Sequence, residues 1–239
     1  MKRALVTGGS GAIGSAVCRA LAVQGHHVIV HANSNAARAE TLAAELRAQG
    51  HSAEAVSFDV TDTAACESAL AALVEVGPIQ ILVNNAGIHD DGVFAGMNHA
   101  QWSRVVDVSL NGFFNVTQPL MLPMIRTRWG RIVNMSSVAA ITGNRGQVNY
   151  SAAKGALQSA TRALSLEVAS RGVTVNAVAP GIIASEMTEG VFDKETIDRM
   201  VPVKRAGTAD EVAALVAFLA SDASAYITGQ TISINGGMA

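Results

Sequence analysis

Short apolar runs alternate with longer segments of helical periodicity along the whole chain. The apolar runs cover residues 4–7, 27–30, 53–58, 79–83, 131–135, 173–178 and 231–234. Their length and composition are typical of buried strands. Strands that alternate with helices over short connections form parallel sheets. We therefore expect an α/β fold, in which a doubly wound parallel sheet carries helices on both faces.

The chain has the size and composition of one domain. It contains 239 residues, of which 49% are hydrophobic, and no repeat or linker interrupts the alternation. We therefore expect a single domain over residues 1–239. Residues 181–204 are an exception, because they combine apolar side chains and scattered charges without an adjoining strand. Such an insertion is either a substrate lid or a plain pair of surface helices.

Charge, cysteine content and hydropathy exclude several classes of protein. The net charge of −2, without a long run of like charges, argues against a nucleic-acid partner. The two cysteines lack CxxC spacing and the six histidines lack ligand spacing, so we expect reduced thiols and no metal. The basic start is followed by too few apolar residues for a signal peptide, and no segment is apolar enough to cross a membrane. We expect a cytoplasmic protein.

A glycine-rich turn, TGGSGAIG at residues 7–14, lies between the first predicted strand and a helical segment. Glycines let the backbone approach a pyrophosphate closely, and a helix N-terminus offers oriented N–H groups with a partial positive charge. In this context a glycine pattern predicts dinucleotide binding. The alternative is a tight turn without a ligand.

The ends of the second and third predicted strands bear on the choice of dinucleotide. Ala32 and Asn33 stand where an NAD-selective site carries an acid for the ribose hydroxyls. Without that acid nothing repels a 2′-phosphate, which favours NADPH. The preference is modest, because no arginine lies in the loop itself to bind the phosphate and Arg38 lies a turn or more into the next helix. Asp59 and Val60 end the third strand, where a carboxylate can accept a hydrogen bond from adenine. A helix-capping aspartate is the alternative there.

Tyr150 and Lys154 stand four residues apart at the head of a helical segment, so their side chains share one helix face. A fixed cation beside a phenol lowers its pKa from about 10 towards the range of a general acid or base. Ser137 follows the strand predicted at residues 131–135, at the sheet edge where ligands bind. The alternative is a tyrosine and a lysine on a helix surface, but the glycine-rich turn favours a catalytic interpretation.

Five motifs in a fixed order carry a family resemblance. They are the glycine-rich turn, NNAG at 84–87, Ser137, YSAAK at 150–154 and the pair at 180–181. Together they resemble the short-chain dehydrogenase/reductase family across essentially the whole chain, which implies a Rossmann-like fold. Within that family, NNAGI at 84–88 and GNRGQVNY at 143–150 are most similar to the 3-oxoacyl-acyl-carrier-protein reductases.

The resemblance implies a role for each motif residue. Tyr150 would donate a proton to the substrate carbonyl oxygen, Ser137 would hydrogen-bond that oxygen, and Lys154 would bind the nicotinamide ribose and lower the tyrosine pKa. The implied cofactor-binding residues are Gly8, Ser10, Gly11, Ile13, Asn33, Asp59, Val60, Asn85, Ala86, Gly87, Tyr150, Lys154, Pro180, Gly181 and Ile183. The cofactor carries the hydride chemistry.

Two positions depart from the family. Ala12 replaces a usual glycine at the start of a helix, where alanine is conformationally suited, so we expect cofactor binding to survive. Ser109 replaces an asparagine that supports a water relay to the lysine. The family's relay water is held largely by the backbone carbonyl, which serine retains, so we expect a working relay. Asn111 cannot substitute, because two residues along a helix rotate a side chain by about 200°.

The resemblance also implies partners. Arg128 and Arg171 match the arginines with which this reductase group docks acidic acyl carrier protein, and the family suggests a homotetramer. Other enzymatic alternatives are a reductase of another carrier-bound substrate, or of a small ketone, alcohol or sugar. A non-catalytic nucleotide-binding scaffold is the remaining alternative, and the retention of Ser137, Tyr150 and Lys154 argues against it.

Overall fold

The computed structural model describes residues 1–184 and 193–239, and one parallel sheet forms its centre. The strands are β1 Arg3–Val6, β2 His27–Ala32, β3 Ala53–Ser57, β4 Ile81–Asn84, β5 Gly130–Met135, β6 Val173–Pro180 and β7 Thr231–Ile234. Their order in the sheet is β3-β2-β1-β4-β5-β6-β7, and every pairing is parallel. The predicted α/β doubly wound sheet is confirmed.

Helices connect the strands on both faces of this sheet. They are α1 Ala12–Val23, α2 Ala36–Ala48, α3 Thr63–Val76, α4 His99–Val106, α5 Gly112–Arg126, α6 Ala139–Thr142, α7 Val148–Val168, α8 Lys194–Met200 and α9 Ala209–Leu219. Within the two described ranges, none of these helices is both long and apolar enough to span a membrane.

Neighbouring residues of a strand face opposite sides of the sheet, and both sides are covered. Val6 lies in a buried cluster with side chains of α1, α2 and α9, whereas Leu5 lies in a second cluster with side chains of α3, α5 and α7. The five inner strands are almost fully buried, so their sequences are mostly apolar rather than alternating, whereas the edge strands β3 and β7 are only half-buried. This burial explains why the short apolar runs predict the strands.

The chain is helical from residue 99 to residue 126 but is interrupted once, ahead of its prolines. A π-helical turn, Asp107–Asn111, separates α4 from α5. Pro119 and Pro123 stand inside α5, which continues to Arg126. A proline removes a helical hydrogen bond, but the packing of buried α5 side chains in the core holds the helix together.

The sheet order reverses beside β1, because β2 and β3 lie on one side of it and β4 to β7 on the other. Such a reversal opens a crevice at the carboxyl ends of the strands, where α/β proteins bind ligands. Of the segment 181–204 predicted as a lid, residues 185–192 lie outside the described residues. The described remainder contains α8, and the lid stays a prediction.

Candidate active site

The turn between β1 and α1 requires glycine for steric reasons. Gly8 has a φ of +60°, and a Cβ atom there would lie 3.1 Å from the side-chain nitrogen of Asn85. A Cβ atom on Gly14 would lie only 2.2 Å from the Gly8 carbonyl oxygen. The helix therefore packs directly on the turn, and side chains at these positions would force them apart.

The loop after β4 holds this turn in place. The Asn85 side chain donates to the carbonyl oxygens of Thr7 and Gly8, at 3.0 Å each. In return, the Thr7 hydroxyl accepts hydrogen bonds from the N–H groups of Asn85, at 2.9 Å, and Ala86, at 3.0 Å. Asn85 and Ala86 thus lie against the glycine-rich turn, as their assignment to a common cofactor site predicts.

Several amides at the start of α1 are free to bind a ligand. In the described part of the chain, the N–H groups of Ser10, Ala12, Ile13 and Gly14 donate to no protein acceptor. Gly11, the N-cap residue, provides no side-chain cap. Unpaired N–H groups at a helix N-terminus form an anion site. These free amides and the glycine cradle fit the pyrophosphate of a nicotinamide dinucleotide.

The ends of β2 and β3 lie at the same edge of the sheet as this turn. Asn33 is exposed just beyond β2, and its carbonyl accepts from the Ser57 hydroxyl at 2.7 Å. Asp59 accepts from the N–H and the hydroxyl of Thr61, while Asp62 caps α3. The alternative in which Asp59 caps a helix is therefore wrong.

The three proposed catalytic residues converge at the ends of β5 and α7. Ser137 follows β5 directly, and Tyr150 and Lys154 lie in the first turns of α7. The Ser137 side chain lies beside the Tyr150 phenol, close enough to favour its ionised form. The Lys154 ammonium nitrogen is 5.7 Å from the centre of the Tyr150 ring. It donates to the Met135 carbonyl at 2.8 Å.

The pKa of Tyr150 shifts in the opposite direction to the sequence-based expectation. Burial raises the pKa of the phenol above its usual range, Ser137 acts to lower it, and the Asp91 carboxylate raises it further. Lys154 is only 3% exposed, and burial lowers its own pKa to about 8. The sequence places a cation next to the phenol but does not reveal that both groups are desolvated, and desolvation disfavours charge on each.

Two further residues position the catalytic groups. The Ser136 hydroxyl donates to the Lys154 carbonyl at 3.0 Å and so joins β5 to α7. Buried Asn149 donates to the carbonyls of Asp90, at 2.9 Å, and Gln101, at 3.1 Å, and accepts from the Tyr150 N–H. Asn149 carries no sequence signal beyond its place in a motif, since its partners are backbone groups distant in the chain.

The remaining predicted cofactor residues surround Lys154 and the end of β6. A Cβ atom on Gly87 would lie 3.0 Å from the Lys154 nitrogen, and one on Gly181 would lie 2.8 Å from Asn235. The Pro180 carbonyl accepts from the Val138 N–H at 2.8 Å, which fixes the chain after Ser137 against the end of β6. Ile183 lines an adjacent cavity of about 160 Å³.

Ser109 lies in the π-helical turn and is 2% exposed. Its hydroxyl has no hydrogen-bond partner among the described residues. Asn111 is exposed, and its side chain donates to Asp107 at 2.7 Å. Ser109 and Asn111 thus face different surroundings, one buried and one exposed, and the expectation that Asn111 cannot take the place of residue 109 in the relay stays a prediction.

The structure does not bring Arg128 and Arg171 to the catalytic residues. Both are exposed, and they precede the amino ends of β5 and β6, whereas Ser137 follows the carboxyl end of β5. The six residues of β5 separate the two edges by roughly 16–20 Å. The two arginine loops are themselves adjacent, since the Gly130 N–H donates to the Gly172 carbonyl at 3.2 Å.

The sequence and the fold are similar to those of characterised families. Residues 2–196 match the family model for short chain dehydrogenases. Nodulation protein G of Azospirillum brasilense is 42% identical over 99% of this chain and 98% of its own length. The 3-oxoacyl-acyl-carrier-protein reductase FabG of Aggregatibacter actinomycetemcomitans is 42% identical over 98% of each chain.

Two other relatives carry different names. The acetoacetyl-CoA reductase of Rhizobium meliloti is 44% identical over 98% of this chain and 97% of its own length. The crystal structure of a candidate gluconate dehydrogenase from Agrobacterium tumefaciens superposes with a TM-score of 0.95, at 34% identity, over 99% of this chain and 95% of that one. On these matches the chain belongs to the short-chain dehydrogenase/reductase family of oxidoreductases and lies close to the 3-oxoacyl-acyl-carrier-protein reductases.

Proposed function

We propose that the protein reduces a β-ketoacyl thioester, carried by acyl carrier protein, to the β-hydroxyacyl product with NADPH. One observation carries this proposal: Ser137, Tyr150 and Lys154 meet at the same sheet edge as the free amides of the glycine-rich turn. A reductant bound on that turn would therefore reach a substrate held at the tyrosine. The names of the reductase relatives support the substrate class.

The bound cofactor would supply a hydride to the carbonyl carbon, which leaves negative charge on the carbonyl oxygen. Tyr150 then donates its proton to that oxygen, and Ser137 donates a hydrogen bond to it as the charge develops. Lys154 stabilises the resulting phenolate, which regains its proton from solvent. The net change is the addition of one hydride and one proton to the ketone.

NADPH is proposed over NADH because no carboxylate stands at the end of β2. Asn33 is exposed there, so Asn33→Asp would place a carboxylate beside the adenosine ribose without burying it. The unaltered protein should have the higher kcat/KM with NADPH, and Asn33→Asp should shift the preference towards NADH by about tenfold. Asn33→Ala is the matched control. An unaltered protein that favours NADH would contradict the cofactor assignment.

The substrate proposal is tested by following NADPH oxidation with acetoacetyl-acyl carrier protein, acetoacetyl-CoA and a keto-gluconate in parallel. Turnover should be highest with the carrier-bound substrate and absent with the sugar acid. The sugar-acid arm represents the alternative suggested by the structural neighbour. Turnover of the sugar acid alone would replace the proposed substrate, and no turnover of any substrate together with tight cofactor binding would favour a non-catalytic scaffold.

We also propose a homotetramer. Apolar side chains of α5 and α7 are exposed on the isolated chain; they include Phe114, Leu122 and Leu166. Exposed apolar surface of this kind marks contact sites between subunits. The molar mass in solution, measured by light scattering, should be four times that of the chain.

A further inference from the structure

His31 lies near the end of β2 and is only 1% exposed. Its Nδ1 atom accepts a hydrogen bond from the Gly8 N–H at 3.0 Å, and its Nε2 atom is 2.8 Å from the Phe58 carbonyl oxygen. An amide is only a donor and a carbonyl only an acceptor, so both bonds form when the imidazole is neutral and carries its proton on Nε2. The Phe58 ring packs against the imidazole at 4.2 Å and fixes its orientation.

The backbone of the same residue supports the next amide of the turn. The Gly9 N–H donates to the His31 carbonyl at 2.8 Å. His31 thus holds two successive amides from the β2 side, while Asn85 holds two carbonyls from the β4 side. The N–H groups of Gly8 and Gly9 are therefore already hydrogen-bonded to His31. Those of Ser10 and Ile13 have no acceptor among the described residues and remain available to a ligand.

We propose that His31 is a positioning residue for the dinucleotide: its neutral imidazole anchors Gly8, and protonation of Nδ1 releases the turn and weakens cofactor binding. A protonated Nδ1 would direct an N–H group at the Gly8 N–H and remove the only acceptor that this amide has in the described chain. The proposal rests on the proposed cofactor site, and it adds a pH dependence that comes from outside the catalytic residues.

The charges around His31 set the pH range. Burial is the main cause that lowers the pKa of His31 below its usual value of 6.5, while the Phe58 carbonyl and the Asp59 carboxylate act to raise it. Among the described residues, Asp59 is the charged group whose field reaches the imidazole. His31 is therefore neutral at pH 7 and above. Binding is lost only as the pH falls below 6.5, towards the pKa of the folded protein.

The test compares three variants by calorimetric titration with NADP⁺, which is stable in acid, between pH 8 and pH 5.5. His31→Asn keeps an acceptor near the position of Nδ1 but cannot be protonated. His31→Leu removes the acceptor. His51→Asn, on the loop before β3, is the matched control for loss of a histidine elsewhere. Circular dichroism at each pH confirms that the variants are folded.

As the pH falls below 6.5, the unaltered protein and His51→Asn should lose more affinity for NADP⁺ than His31→Asn does. His31→Leu should bind about five- to tenfold more weakly at pH 8, the effect of one lost hydrogen bond. His31→Leu should raise the KM for the cofactor with little change in kcat, whereas a general loss of structure would also lower kcat. Titration of the cofactor phosphate is common to all the proteins and cancels in the comparison.

Equal pH dependence in the unaltered protein and His31→Asn would overturn the proposal while leaving the cofactor assignment intact. Failure of the unaltered protein to bind NADP⁺ or NAD⁺ at pH 8 would overturn both. If His31→Leu does not fold, the comparison with His31→Asn still decides the question, because the asparagine keeps the hydrogen bond to Gly8.

Discussion

Tyr150 lies among groups that raise and lower its pKa, and the balance bears on the direction of the reaction. Burial and the Asp91 carboxylate raise the pKa of the phenol, and only Ser137 acts to lower it. The phenol is therefore protonated at neutral pH. A proton donor is needed when a ketone is reduced, so the resting protonation state suits reduction rather than alcohol oxidation.

Tyr150→Phe should abolish reduction, because the ring still packs but the transferable proton is gone. The expected loss in kcat is at least about a thousandfold. Cofactor affinity, measured by fluorescence titration, should change by less than about threefold. Near-normal turnover in this variant would remove Tyr150 from the mechanism.

Lys154 should give the activity a basic limit. Its pKa is lowered to about 8 by burial, so the ammonium loses its proton as the pH rises through that value. We expect kcat to fall by about half at pH 8 and about tenfold by pH 9. The folded pKa lies below that of an unfolded lysine, so the contribution of Lys154 to stability rises over the same range and unfolding through this group cannot explain the fall. A flat profile to pH 10 would show that the charge is not needed.

The π-helical turn contains Ser109, one of the two positions at which the family resemblance implies a departure. The buried Ser109 hydroxyl has no described protein partner, so Ser109→Ala should cost less than about 1 kcal/mol of stability. Ser109→Asn and Ser109→Ala should each change kcat by less than about tenfold, if the backbone carbonyl holds the relay water. Asn111→Ala is the control at an exposed position of the same turn. A collapse of kcat in Ser109→Ala alone would assign the proton relay to the serine hydroxyl.

The sequence predicts those helices and strands whose residue types are determined by burial alone. The apolar runs predict all seven strands to within two residues of their ends. The five inner strands are covered on both faces and therefore need mostly apolar sequence, whereas β3 and β7 at the edges are only half-buried. The π-helical turn has no such signature, since the helical periodicity continues through residues 107–111. Pro119 and Pro123 are tolerated inside α5, because packing of α5 in the core outweighs the two missing hydrogen bonds.

The sequence predicts which motifs form the candidate site, but not the burial and the charges that surround them. The order of strands and motifs predicts that Ser137, Tyr150 and the glycine-rich turn share one edge. The direction of the Tyr150 pKa could not be predicted, because it depends on burial by residues distant in the chain. The positioning roles of Asn149 and His31 could not be predicted for the same reason, because their hydrogen-bond partners are backbone groups of other segments.

On the scale of the whole molecule, the arginine pair and the catalytic residues occupy opposite edges of the sheet. If Arg128 and Arg171 dock an acidic carrier, Arg128→Glu and Arg171→Glu should weaken reduction of the carrier-bound substrate by about tenfold or more at low salt. Reduction of acetoacetyl-CoA, which lacks the carrier, should be unchanged. Arg47→Glu, on the exposed surface of α2, is the matched charge control. Equal losses of activity with both substrates would show that the two arginines support the fold rather than dock a carrier.

The separation of the two edges by the length of β5 has a consequence for how the protein can change. Substitutions that share no contacts and lie well apart have additive free energies, usually within about 0.5 kcal/mol. An Arg128 variant combined with a Ser109 variant should therefore show the product of the two single effects on kcat/KM. Substitutions in the loops before β5 and β6 can therefore change which carrier the protein binds. The catalytic residues at the opposite edge need not change with them.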